Sequence, residues 1–202
     1  MIVFENCRDL TIEYQKIYSD KLVFIHCKNI LISFCQIYSQ ELTFESCSMI
    51  AVEKCKIESP LQIYSCYKMW VENNYLAGQV NLQSLFRNRL LCNISHNVLK
   101  APILIGTMVK TAQITIEKNL FIVDGKSIGI YPNIPLKLWI DDNSKGSVEE
   151  MQALETEVDF ELAGSDLVHS QNMLKYRLSS YHQLHTRYSS FIDVLRWCQV
   201  IC

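Results

Sequence analysis

The chain has 202 residues, of which 49% are hydrophobic and 20% charged, with only six glycines and four prolines; this balance suits a folded protein and excludes a disordered one. The net charge is −2: residues 1–146 hold 15 Lys/Arg against 13 Asp/Glu, and residues 147–202 hold 4 against 8, so neither part has the basic excess of a nucleic-acid binder. No run approaches the roughly 18 apolar residues of a membrane span, and no basic segment leads into an apolar stretch with a small-residue cleavage site, so the chain reads as cytoplasmic.

In chain order, the first sixty residues are three blocks of twenty with one pattern: MIVFENCRDLTIEYQKIYSD, KLVFIHCKNILISFCQIYSQ and ELTFESCSMIAVEKCKIESP. Each opens on an apolar pair two apart: Ile2 with Phe4, Leu22 with Phe24, Leu42 with Phe44, and then Leu61 with Ile63 in the next block. A second pair follows and continues down the chain. Its anchors are Ile12, Ile32, Val52, Val71, Ile94, Ile116 and Ile140, at intervals of 20, 20, 19, 23, 22 and 24. Two residues before each anchor stand Leu10, Ile30, Ile50, Met69, Cys92, Ile114 and Leu138. Spacing of two predicts strands with alternate side chains inward, whereas an amphipathic helix needs apolar positions three and four apart. Five after the anchor come Ile17, Ile37, Ile57, Leu76, Leu99 and Phe121, and Lys145 breaks the series.

Each block therefore predicts two or three short strands separated by bends, and a period of about 20 to 50 residues means stacked units sharing one core. The strings VENNYL, ISHNVL and IEKNLF share I-x-x-N-x-[LF] or its close variant, and this resembles the rung motif of right-handed parallel β-helix proteins of the pectin-lyase-like type. The resemblance covers about residues 1–145 and implies a mainly β fold, a right-handed parallel β-helix solenoid of about seven coils. It also implies that the bend asparagines stack from coil to coil. Function does not follow from it, because the architecture hosts lyases, hydrolases, adhesins and scaffolds. A leucine-rich repeat lacks its L-x-x-L-x-L core here, and a pentapeptide solenoid keeps its five-residue spacing only through Ile57.

Cys7, Cys27, Cys47 and Cys66 recur at one position, and Cys35 and Cys55 precede Asn74, Asn97, Asn119 and Asn143 at another. Parallel stacking predicts inward columns at both, with thiols acting as small buried hydrophobes, and no zinc-type spacing is present. No metal or cofactor is assigned. Catalysis has little support: the paired carboxylates Asp141 and Asp142 fall where the repeat ends, and no catalytic motif occurs, so no catalytic residue is assigned.

The added length of later coils lies within 77–91, 100–113 and 122–137, and such insertions gather on one side, often the binding side. Arg87, Arg89, Lys110, Asp124, Lys126 and Tyr131 are the candidate ligand face, suited to an acidic partner or a polysaccharide. Residues 147–202 change character. Ser147 with Glu150 forms a capping box, and Leu174, Leu178, Tyr181, Leu184, Tyr188, Phe191 and Leu195 make one helical stripe, predicting a two-helix C-terminal cap after a solenoid of residues 1–146. Ile2 and Phe4, in the first coil, are the candidate interface with a protein partner or a second copy. Two functions stay open: a non-enzymatic scaffold or protein-interaction module, and a carbohydrate-binding or carbohydrate-cleaving protein using residues 77–137.

Overall fold

Alternating inward apolar and outward polar residues set each block into three short strands, and the computed structural model describes them over residues 1–83, 90–106, 112–130 and 137–147. The first rung holds β1 (Ile2–Glu5), β2 (Arg8–Glu13) and the first half of β3 (Lys16–Ile25). The second half of β3 begins the next rung, followed by β4 (Lys28–Ser33) and the first half of β5 (Gln36–Glu45); the rest of β5, β6 (Ser48–Glu53) and β7 (Lys56–Ile57) make the third. Then come β8 (Leu61–Tyr64), β9 (Tyr67–Glu72) and β10 (Tyr75–Leu76), and β11 (Val80–Gln83), β12 (Leu91–Ser95) and β13 (Val98–Leu99). The last two rungs are β14 (Ile103–Ile105), β15 (Gln113–Glu117) and β16 (Leu120–Phe121), and β17 (Ile128–Ile130), β18 (Lys137–Asp141) and β19 (Ser144–Lys145).

Like strands stack in parallel into three faces. The second face is a seven-stranded sheet ordered β18-β15-β12-β9-β6-β4-β2. The first and third faces join into a 12-stranded sheet because β3 and β5 each run through the corner between them. The result is a mainly β parallel solenoid of about six turns, since seven rungs are separated by six steps. Among the described residues there is no helix, and none long and apolar enough to cross a membrane. The predicted C-terminal cap lies outside the described residues.

Register follows the repeat residue by residue: Ile12 pairs with Ile32, Ile32 with Val52, Val52 with Val71, Val71 with Ile94, Ile94 with Ile116 and Ile116 with Ile140. Every inward residue thus rests on its equivalent one rung away, and Ile32, Val52, Val71, Ile94 and Ile116 are fully buried. Each contributes about 1.5 to 3 kcal/mol of transfer free energy. Rings follow the same rule, Phe4 on Phe24 and Phe24 on Phe44 at 4.9 Å between centroids, the spacing of hydrogen-bonded strands.

Among the described residues only one bend, at Gly125 on the connection from β16 to β17, uses a glycine with positive φ. Fifteen other residues have positive φ, and they fall in columns: Asn6, His26, Ser46 and Ser65 at the corner between the first and second faces; Asp9, Asn29, Met49 and Lys68 inside the second; and Tyr14, Phe34, Lys54, Asn73, His96, Lys118 and Asp142 between the second and third. A left-handed residue turns the chain, and its successor points inward. That successor is Cys7, Cys27, Cys47 or Cys66 in the first column, and Cys35, Cys55, Asn74, Asn97, Asn119 or Asn143 in the last, where Gln15 after Tyr14 is the exposed exception. Hydrogen bonds between rungs hold these conformations, as in Asn6 N–H to Ile25 C=O at 2.9 Å and His26 N–H to Glu45 C=O at 3.0 Å.

Candidate functional site

The corner between the second and third faces carries the most ordered polar chemistry. Asn97 Nδ2 donates to Val71 C=O at 2.8 Å and to Asn119 Oδ1 at 3.0 Å, while its own Oδ1 accepts from Asn74 N–H at 2.9 Å and Asn74 Nδ2 at 3.1 Å. Asn119 repeats the pattern with Ile94 C=O and Asn143 Oδ1, each at 2.9 Å. Cysteine does the same work in earlier rungs: Cys35 N–H donates to Cys55 Sγ at 3.4 Å, Cys55 Sγ lies 3.6 Å from Ile32 C=O, and Cys55 N–H donates to Asn74 Oδ1 at 2.9 Å. A thiol is a weak donor and acceptor, so the amide rungs are held more tightly.

No disulfide links the seven cysteines among the described residues. Burial pushes the Cys92 thiol up to about 12 and raises Cys27, and a hydrogen bond with the Cys66 thiol raises Cys47. Cys35 is pulled down to about 7 by its hydrogen bond with Cys55, against the effect of its own burial. It is completely buried, so a thiolate there is sealed from reagents. Among the described residues no group of three or more His, Cys, Asp or Glu is placed to hold a metal ion. Denatured protein, trapped without reductant, is expected to titrate close to nine reactive thiols out of nine cysteines, and native protein far fewer. Recovery of several disulfides would overturn the thiol-column account.

The candidate ligand face divides. Of the lengthened stretches, residues 84–89, 107–111 and 131–136 lie outside the described residues. Asp124 and Lys126 lie on the connection from β16 to β17, between the third and first faces. Both are exposed, and Lys145 Nζ donates to Gly125 C=O in that turn at 3.1 Å. Arg87, Arg89, Lys110 and Tyr131 fall outside the described residues. Ile2 is 38% exposed, and Phe4 is half-buried with one ring face on Phe24.

A groove of about 230 Å³ lies on the outer surface of the second face, where sequence reading placed nothing. Its walls are Trp70, 39% exposed, and Trp139, 53% exposed. Register aligns Trp70 with Asn93, Asn93 with Thr115 and Thr115 with Trp139, so both indoles stand in one outward column with two polar side chains between them. Asn93 Nδ2 donates to Glu72 Oε1 at 2.8 Å. A carboxylate only accepts, so this contact fixes the amide orientation and leaves Asn93 Oδ1 as an acceptor, shielded from solvent and accepting no hydrogen bond. An unmet buried acceptor costs about 1 to 3 kcal/mol. The outward position one residue before each anchor was the available signal: Thr11, Leu31, Ala51, Trp70, Asn93, Thr115 and Trp139.

Comparison with protein-family models finds no match for the chain, and comparison with curated proteins finds none either.

Proposed function

We propose that the chain is a non-enzymatic solenoid scaffold that joins a second copy of itself through the edge of its first rung. One contrast carries the reading. Ile2, Phe4, Leu10, Ile12 and Ile17 are only partly covered, whereas their partners one rung on, Leu22, Phe24, Ile30, Ile32 and Ile37, are at most 2% exposed. Among the described residues β1 pairs only with β3, and β2 only with β4, so this apolar edge also offers backbone donors and acceptors of the kind that recruit other strands. A relationship with pectin-lyase-like β-helices is supported by three strands per turn and by amides hydrogen-bonded from rung to rung at the bend after each anchor. A cytoplasmic setting is supported by the cysteines among the described residues, six of them buried in the core as free thiols. Carbohydrate binding through residues 77–137 draws mainly on side chains outside the described residues, and no observation on the described ones favours it.

Light scattering of the whole chain is expected to give a mass above the 23.5 kDa of one copy. Ile2→Lys, which puts a charge on the edge while its aliphatic stem still covers Leu22 of the second rung, is expected to return the mass to one copy with the thermal midpoint kept. Wild-type protein that stays at one copy at tens of micromolar would overturn the reading.

A further inference from the structure

We infer that the joint between copies closes on itself: the first rung of one copy meets the first rung of the other about a twofold axis, and the last rung takes no part. This rests on the scaffold reading and adds which surface the second copy presents. Among the described residues β1 and β2 pair only with the second rung, and β17, β18 and β19 only with the rung before them, so both end rungs keep one side of their strands unpaired. Two arrangements can use such ends. Head-to-tail stacking sets a first rung on a last rung, continues every strand in parallel and grows without limit. A twofold axis sets like on like, makes the facing strands antiparallel and stops at two copies.

What decides between them is the last rung. The inward column of the third face starts at Ile17 and ends with Leu99 on Phe121 and Phe121 on Lys145. Lys145 is exposed, and its Nζ donates to Gly125 C=O at 3.1 Å. A copy stacked head to tail would bring its Ile17 over Lys145 and take that ammonium out of water. β17 and β19 are also only three and two residues long, and short strands with lysine are what keeps a sheet edge from pairing. Ile130 and Ile140 leave apolar surface on this rung as well, 51% and 48% exposed, so hydrophobicity alone does not choose the end. Aromatic rings add to the choice. Phe4, Tyr14 and Tyr18 each stack on the second rung at 4.9 Å and turn their other ring face along the stacking axis, out of the solenoid. Like on like covers these faces, whereas head-to-tail stacking sets Tyr14 over Asp142, its counterpart in the bend column. Charge opposes neither arrangement: Glu5, Asp9, Glu13 and Asp20 of the first rung are mixed with Arg8, Lys16 and the N-terminal ammonium, and Asp141 and Asp142 of the last with Lys137 and Lys145.

The test combines sedimentation velocity of the whole chain, over the micromolar range, with amine crosslinking of an equal mixture of ordinary and isotope-labelled chain. The mass is expected to rise to twice the 23.5 kDa of one copy and to stay there as concentration increases. Mixed-isotope crosslinks, read by mass spectrometry, are expected to join Lys16 or Lys21 of one copy to Lys16 or Lys21 of the other, since both lysines are exposed beside the joint. Ile140→Lys, on the last rung, is expected to keep the two-copy mass that Ile2→Lys abolishes. The inference is overturned by a mass that grows past two copies, by mixed-isotope pairs joining Lys16 to Lys137 or Lys145, by no mixed pairs among the first-rung lysines, or by a one-copy mass for a folded Ile140→Lys. Growth past two copies with Lys16 joined to Lys145 would still leave a scaffold that self-joins through its first rung, whereas one copy at every concentration removes that reading itself, so the two failures are told apart.

Discussion

Phe24→Ala is expected to destabilise the protein by about 3 to 5 kcal/mol, the largest effect of any single substitution proposed for this chain. The ring is completely buried and stacked between Phe4 and Phe24's other neighbour, Phe44, at 4.9 Å on both sides, so truncation opens a cavity bounded by two rings that are each tied to their own strand. Strand register prevents either ring from sliding into the space, and the site can collapse only by breaking hydrogen bonds of β3. A fall of roughly 10 °C in thermal midpoint is expected, scaled from a chain of this size. Phe24→Leu retains much of the volume and should lose less than half as much. A wild-type midpoint in Phe24→Ala would mean that the stacked column does not form.

Asn97→Leu is expected to cost about 3 kcal/mol by a different route. Leucine adds apolar contact, so a purely hydrophobic account would forecast a gain. The loss comes from the neighbours: Asn74 N–H and Asn74 Nδ2 lose their acceptor, and Val71 C=O loses its donor, in a place without water. Asn97→Cys serves as the graded variant. Cys55 already places a thiol near the equivalent carbonyl and beside the equivalent N–H, so Asn97→Cys should fall between wild type and leucine. Differential scanning calorimetry on the three proteins checks the order. Leucine equal to wild type would show that hydrogen bonding at this bend is energetically idle.

How much was legible depends on which side of the strand a residue faces. Inward residues announce the fold, because burial forces the same apolar character at Ile12, Ile32, Val52, Val71, Ile94, Ile116 and Ile140, and those positions are in register in the sheet. Outward residues obey no such constraint, so Trp70 and Trp139 look unrelated until pairing sets them three rungs apart in one column. Length added to a rung is hard to place from sequence for a related reason. The conserved spacing runs from two residues before the anchor to five after it, which marks the second and third faces and the bend between them. It contains no marker for the first face, and length added on either side of β11, β14 or β17 counts the same in sequence. Hence sequence spacing alone does not show that Asp124 and Lys126 stand between the third and first faces. Left-handed bends were invisible for want of their usual signals, since Tyr14, Phe34, Lys54 and His96 are not turn formers.

Those bends have a kinetic consequence. Ten of the fifteen left-handed residues are neither Asn nor Asp, so the isolated strand–bend–strand segment prefers to be straight by about 1 to 2 kcal/mol at each such position. A rung adopts its shape only against a neighbour already shaped, whose backbone supplies the hydrogen bonds that reward the turn. Such a chain folds by templated growth rather than by assembling preformed pieces, and it opens in the reverse order, outermost rung first. Hydrogen exchange should therefore grade along the stacking axis, with amides of the central rungs around Val52 and Val71 exchanging last.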